Sequence, residues 1–362
     1  MNWSTELSFI SKSDGVKLAY ATLVNESKKD KNTLVFLTGY KETYEKYRSF
    51  LSDLHTKGGF NIFTFDHRNQ GLSNDTPGTI YEKGFEDSSG RRICFVKDFE
   101  STYVEDTLQF LETIVKPTCT GVDSSICVVG HSMGGLIAAR LAEKTGKSLF
   151  DGMVLSAPMI SHKNVLDVGG LFDLELPIGL ASSFGSLMVK IKQGATKVDG
   201  RDTNASKPTT ELLSHCEEKR KAWNLLRAQR PNIVLGGASF QWATAALQIE
   251  DLTLADAEKI EIPTLIFMSE HDTFVYNSAI SALAKKLIPD QTLLVGPVSN
   301  AYHELLQEKN EISVPILNSI NEFASQQLSK QGLGITDSVR SVVKTVPVTD
   351  SKLDTPPGCC CM

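Results

Sequence analysis

The sequence of 362 residues has no surplus of positive charge: 37 lysines and arginines stand against 43 aspartates and glutamates, a formal net charge of −6. A protein that tracks a phosphate backbone presents a basic face, so this balance argues against nucleic acid as the main partner. A long uncharged apolar run is also missing. The best candidate, VGGLFDLELPIGLASSFGSLMV over 168–189, carries Asp173, Glu175 and Pro177. A charge at the centre of a membrane span costs about 2.5–3.5 kcal/mol on the mildest scale, so no transmembrane helix is expected. The N-terminal MNWSTELSFISKSDG has neither a basic start nor a continuous apolar stretch, which predicts no signal peptide and a cytoplasmic location. Cysteine is sparse and unpatterned through most of the chain. Cys94, Cys119, Cys127 and Cys216 show no C-x-x-C spacing, so neither a disulfide framework nor a zinc site is expected, and a reducing compartment suits them. The other three of the seven cysteines, Cys359, Cys360 and Cys361, crowd into the last four positions. No internal repeat is present.

What remains is the composition of a globular protein, 41% hydrophobic and 22% charged, arranged in a clear rhythm. LSFIS and VKLAYATLV flank Ser13-Asp14-Gly15 and read as an opening hairpin. Apolar strand-like runs follow at 33–39, 60–66, 125–130, 152–158, 264–269 and 292–296. Near-continuous apolar strands are expected when a parallel sheet is covered on both faces. Between them lie helical patterns: Phe99, Tyr103, Leu108, Leu111 and Val115 make one stripe within 98–116, and 136–142 is apolar almost all round. Alternating strand and helix predicts an α/β fold, a doubly wound and mostly parallel sheet. The rhythm stops between about 160 and 250, where no strand is evident. The expected organisation is a discontinuous core of 1–160 and 251–329, a mainly helical insertion at 161–250, and a flexible tail at 330–362 rich in small and polar residues.

Gly130-His131-Ser132-Met133-Gly134 fits G-x-S-x-G between the strand SICVV and the helix LIAARLA. At such a turn the flanking glycines let strand and helix approach, the serine hydroxyl is pushed out at the carboxyl edge of the sheet, and the Met133 amide opens the helix. Ser132 is therefore a candidate nucleophile. It needs a base, and the base needs an acid, in the chain order Ser, Asp or Glu, His. Of the seven histidines, only His303 follows the loop after TLIFMS with room for another strand between. In that loop Asp272 is preferred as the acid, with Glu270 as the alternative. The second oxyanion donor is expected from the loop Thr38-Gly39-Tyr40, through the Tyr40 amide. FDHRNQGLS (65–73) is read as a structural loop, with Asp66 and Arg68 in local hydrogen bonds.

With these residues placed, the chain resembles the serine α/β-hydrolases, within them the lysophospholipase and monoacylglycerol lipase group. TGYKETYEKY, FDHRNQGLS, VKDFESTYVEDTLQFL, GHSMGG, LSAPM, IVLGGASFQW and NAYHELLQEK are similar to segments of bacterial lysophospholipases in the same order. The resemblance implies the same triad and oxyanion amides and makes the insertion a cap over the acyl chain. Two departures stand out: Thr38-Gly39 where His-Gly is usual, and Asn69 where glycine is common.

The implied reaction is hydrolysis of a single-chain lipid ester through an acyl-enzyme, with no metal and no cofactor. Phe172, Leu174, Leu180, Phe184 and Leu187 are candidates for an acyl pocket. A serine aminopeptidase or acyltransferase shares such a fold; an aminopeptidase would use Glu211, Glu217 or Glu218 to hold an amine. An inactive binding protein is the third alternative. The terminal CCCM fits C-a-a-X with Cys359 as acceptor, except that its middle positions are cysteines. Palmitoylation of Cys359, Cys360 or Cys361 competes. Either predicts a peripheral contact with a membrane surface.

Overall fold

Short, β-branched and aromatic runs form strands because their side chains pack well on a pleated surface, and here they assemble one eight-stranded sheet. The structure is a computed structural model, and it describes residues 3–24, 32–73, 93–119, 124–163, 165–168, 172–175, 183, 186–190, 213–327, 334–351 and 353–354. In chain order the elements that matter are β1 (Ser4–Ile10), β2 (Lys17–Leu23), β3 (Thr33–Leu37), α1 (Arg48–Gly58), β4 (Asn61–Phe65), β5 (Ile93–Cys94), α2 (Glu105–Phe110), β6 (Ile126–His131), α3 (Met133–Thr145) and β7 (Gly152–Ser156). They continue with β8 (Val165–Val168), β9 (Phe172–Glu175), α4 (Glu217–Gln229), β10 (Gly237–Ala238), α5 (Phe240–Asp256), β11 (Thr264–Ser269), α6 (Asn277–Lys286), β12 (Thr292–Val298), α7 (Asn310–Gln327) and α8 (Asp337–Val343).

The sheet order is β1-β2-β4-β3-β6-β7-β11-β12. From β4 to β12 all neighbours are parallel, while β2 runs antiparallel to both β1 and β4. The strict alternation of a strand sorts its residues between two cores. Leu34, Phe36, Cys127, Val129, Val154, Leu265 and Phe267 face α1, α7 and α8. Val35, Leu37, Val128, Met153, Leu155 and Ile266 face α3, α5 and α6. Each fully buried aliphatic or aromatic side chain contributes about 1.5–3 kcal/mol of burial free energy, so both faces of the sheet are held by apolar packing. Loops that follow parallel strands emerge at one edge, where α/β proteins bind ligands. The loops after β3, β6, β11 and β12 therefore converge on the same edge.

Three expectations are corrected. The insertion does not reach 250, because α5 is one continuous helix from 240 to 256 whose Trp242, Ala245, Ala246 and Ile249 pack into the core. The stretch between 160 and 250 is not free of strands: β8 and β9 pair as a hairpin, and β10 pairs with β5. The expected flexible tail at 330–362 is docked over its described residues 334–351. Val339, Val343 and Val346 are buried in the second core and Val348 bridges Val298. Their spacing was hidden among small polar neighbours.

Candidate active site

Ser132 stands between β6 and α3 with φ 51° and ψ −117°. A non-glycine residue there carries strain of about 1–3 kcal/mol, which persists only where the surroundings fix it. They do so here. Ser132 N–H donates to Ser156 O at 3.0 Å, and Ser132 O accepts from Gly135, Leu136 and Met159 N–H at 2.9, 3.1 and 3.0 Å. The flanking glycines are required by close approach: a Cβ on Gly130 would lie 2.5 Å from Gly134 O, and one on Gly134 would lie 2.3 Å from Leu37 O. The helix start is thus pressed onto the end of β3. Met133, buried in the first turn of α3, presents its amide where a helix has no internal acceptor.

Asp272 and His303 are brought together from loops 31 residues apart. His303 Nδ1–H donates to Asp272 Oδ2 at 2.8 Å, and both groups are buried. Asp272 Oδ2 also accepts from Ser269 Oγ at 3.0 Å, while Oδ1 accepts from the Phe274 and Val275 amides at 2.8 and 3.0 Å. Burial alone would raise the acid's pKa. The imidazole charge and these hydrogen bonds outweigh it and hold the carboxylate below its ordinary value. For His303 burial pulls down, but Asp272, with Glu304 and Glu42 beyond it, raises the imidazole above its ordinary value. The ring of His131, next to Ser132 in the chain, lies 4.9 Å from the His303 ring. Glu270 is engaged elsewhere, accepting from Asn300 N–H at 2.8 Å. Of the two carboxylates in this loop, Asp272 is the one hydrogen-bonded to His303.

The loop after β3 is fixed by groups that the sequence did not single out. Gly39 N–H donates to Glu42 Oε2 at 2.7 Å, and Gly39 O accepts from Gln70 Nε2 at 2.8 Å. Gln70 Oε1 accepts from Lys41 N–H at 3.2 Å. A Cβ on Gly39 would fall 2.8 Å from Glu42 Oε2. Tyr40 stacks on Trp242 at 4.3 Å between ring centroids. Glu42 Oε1 in turn accepts from Lys46 Nζ at 2.6 Å and Tyr47 Oη at 2.8 Å, and Lys46 Nζ also bonds Glu304, the neighbour of His303. Lys46, only 4% exposed, thus joins the loop after β3 to the loop after β12. Burial would raise the Glu42 pKa, but Lys46, His131 and Tyr47 hold it down at about 2. The i, i+4 spacing of Glu42 and Lys46 was the available signal; the partner Glu304 lies 258 residues away and gave none.

Two other histidines are set aside by their surroundings. Burial lowers His131 to about 4 and His67 to about 3, so both are neutral rings near pH 7. The loop 65–73 is structural, with a longer reach than expected. Asp66 accepts from Thr43 Oγ1 and from the Tyr44 and Leu72 amides. Arg68 bridges to Asp106 through Nε and Nη2 at 2.7 and 2.8 Å and to Asp14 at 2.6 Å. Asn69 has φ 68°, a left-handed conformation that asparagine tolerates.

Of the expected acyl-pocket set, Leu180, Phe184 and the side chains of Phe172 and Leu174 lie outside the described residues, as do Cys359, Cys360 and Cys361. Leu187 is described and is 52% exposed. Among the described residues no group of His, Cys, Asp and Glu could hold a metal ion, and no helix is long and apolar enough to cross a membrane.

Sheet order, strained serine turn and the acid and base loops at the carboxyl edge define an α/β-hydrolase. Residues 28–310 match the family described as serine aminopeptidase, S33, and the chain belongs to that family. It is 29% identical over 320 residues to a probable lysophospholipase L2 of Haemophilus influenzae, covering 88% of this chain and 92% of that protein. It is 24% identical over 308 residues to lysophospholipase L2 of Escherichia coli K12, covering 83% and 82%. Among solved structures, a monoacylglycerol lipase of Paleococcus ferrophilus shares the fold with a TM-score of 0.59 at 18% identity, over 86% of this chain and 99% of the other.

Proposed function

We propose that this protein is a carboxylic ester hydrolase that releases the fatty acid from a single-chain lipid, a lysophospholipid or a monoacylglycerol, through a serine acyl-enzyme. The observation that carries the reading is the buried Asp272–His303 hydrogen bond at the same sheet edge as the strained Ser132 turn. The names of the similar proteins supply the lipid ester as the substrate class.

In this mechanism Ser132 is the nucleophile. His303, its Nδ1–H held by Asp272, takes the serine proton at Nε2 as the hydroxyl attacks the acyl carbonyl. Asp272 stabilises the imidazolium without taking the proton itself. The Tyr40 and Met133 amides receive the oxyanion, and one such donor is worth about 2.7–4 kcal/mol of transition-state stabilisation. His303 then protonates the departing alcohol, and water repeats the sequence to free the acid. No step calls for a metal or cofactor. Residues 161–238 form the cap, and its apolar residues Phe172, Leu174, Leu180, Phe184 and Leu187 supply the acyl-chain contacts.

The family's description favours a second reading, a serine aminopeptidase. A peptide amine would call for carboxylates in the cap. Glu217 and Glu218 are exposed on α4, Glu217 already paired with Lys221 at 2.6 Å, and Glu211 lies outside the described residues.

Membrane attachment through a lipidated Cys359, or through Cys360 and Cys361, would bring the enzyme to its substrate. Intact mass of the protein from its native host tests this; a tail of unmodified mass overturns it. The catalytic test is fatty-acid release from lysophosphatidylcholine, monoacylglycerol and a short-chain ester, beside an aminoacyl-peptide substrate. Release from either lipid, abolished in Ser132→Ala, is the expected result. Peptide cleavage without lipid hydrolysis would replace the proposal by the second reading.

A further inference from the structure

The carboxyl-terminal segment runs along the edge that carries the acid and base loops. Beyond α8, the Val298–Val348 bridge is flanked by Ser299 N–H donating to Pro347 O and Thr349 N–H donating to Pro297 O, both at 2.9 Å. These bonds hold the end of β12, from which the His303 loop departs. Further on, Ser351 Oγ donates to Glu270, whose other oxygen holds Asn300 N–H. Asp354 then accepts from Asn277 N–H at 2.9 Å and pairs with Lys163. Lys163 Nζ donates to the main-chain oxygen of Asp272 at 2.8 Å, and Lys163 N–H donates to Phe274 O at 2.8 Å. The acid loop is thus gripped between residues 161–163 on one side and 347–351 with Asp354 on the other, and Lys163–Asp354 closes the ring.

We propose that residues 347–351 with Asp354 are a positioning strap for the Asp272–His303 pair, fastening the acid and base loops together so that events at the end of the chain reach the catalytic imidazole. The strap touches no reacting atom. It acts on the main chain of 270–277 and 297–300, and through these on how squarely the carboxylate meets Nδ1. The inference rests on the triad reading above. A carboxyl terminus loaded with lipid, or pulled by a membrane, would act through the same contacts.

The test uses the full chain with Ser351→Ala and Asp354→Ala combined, Asp354→Glu as the conservative variant, and Asp350→Asn as the control. Asp350 is exposed, so the control removes a surface charge from the same segment. Two quantities are read: kcat and KM on a soluble short-chain ester, and the titration of the His303 ring by NMR. The groups that bear on that titration are Asp272 on the acid loop, Glu304 on its own loop, Glu42 and Lys46 on the loop after β3, and His131 at the end of β6. Only Asp272 is gripped by the strap. Since the carboxylate raises the imidazole, loosening it lowers the His303 titration point toward the ordinary range. The expected result for the double variant is a fall in kcat on the order of 10-fold or more, the size that small misplacements of catalytic groups produce. KM is expected to be unchanged, with recovery in Asp354→Glu and none of these effects in Asp350→Asn. A double variant that keeps both kcat and the His303 titration point of the parent overturns the strap. If the parent itself is inactive on every ester, the functional reading fails; the NMR titration still decides the strap.

Discussion

Asp272 is charged although it is buried, because one imidazole, one hydroxyl and two amides surround its oxygens. Asp272→Asn keeps the shape but puts an amide N–H or a weaker acceptor against Nδ1, which favours the wrong imidazole tautomer. The expected cost is about 10⁴-fold in kcat, as in the equivalent change in serine proteases. The sign of the pH dependence follows from the same pair. As the proposed base His303 would work only when deprotonated, and its pKa is raised, so the acidic limb of kcat/KM is expected above the ordinary imidazole value of 6.5. In Asp272→Asn the residual activity is expected to show that limb at lower pH, and a limb that did not move would show that Asp272 does not set it. Stability follows the opposite pattern for the acid. A carboxyl group with a depressed pKa stabilises the fold above its ordinary pKa, and that contribution fades as pH falls through the lower folded value. Lys46 makes a separate case. Lys46→Met strands Glu42 and Glu304 side by side without their shared cation. Breaking a buried ion pair costs about 3–5 kcal/mol, to be read from the urea midpoint. A midpoint equal to the parent's would mean that the three charges do not depend on each other.

At the scale of elements, the turn from β6 to α3 leaves no room for a side chain at Gly130 or Gly134. In Gly134→Ala the new methyl meets Leu37 O at 2.3 Å, backbone that cannot move without disturbing β3. A loss of about 1–3 kcal/mol or more is expected, seen as a lower Tm together with loss of activity. Retention of both would mean that α3 can slide away from the end of β3. This turn was legible in the sequence because strand, glycine, serine, glycine and helix are adjacent. The sheet was legible for a similar reason, since β3, β4, β6, β7, β11 and β12 are local apolar runs and β1 and β2 close through a short Ser-Asp-Gly turn. The hairpin of β8 and β9 was not. Asp167, Asp173 and Glu175 break its apolar pattern, so it reads as irregular cap. The true extent of α5 was hidden as well. A lost strand rhythm marks where a sheet pauses, not where a helix returns to it.

Across the whole molecule, the readable parts are those whose physics is local, and the unreadable ones depend on contacts across the chain. The proposed Ser132, Asp272 and His303 were picked out by the order in which this architecture delivers its loops. The Lys46 link to Glu304 and the docking of 347–351 depend on pairings that no window of sequence contains. Lipid attachment at the terminal cysteines would act on this same carboxyl end. One lipid chain binds a membrane only marginally, so a second acylated cysteine would be needed for stable residence. The fold, the strained serine turn and the acid–base pair together support one central proposal, that Ser132 Oγ is the atom acylated in each turnover. Its most direct measurement is covalent labelling with a fluorophosphonate followed by peptide mass mapping. Stoichiometric label on the peptide containing Ser132, lost in His303→Ala, is the expected result. Label on another residue, or a fully active enzyme that takes no label at Ser132, would contradict it.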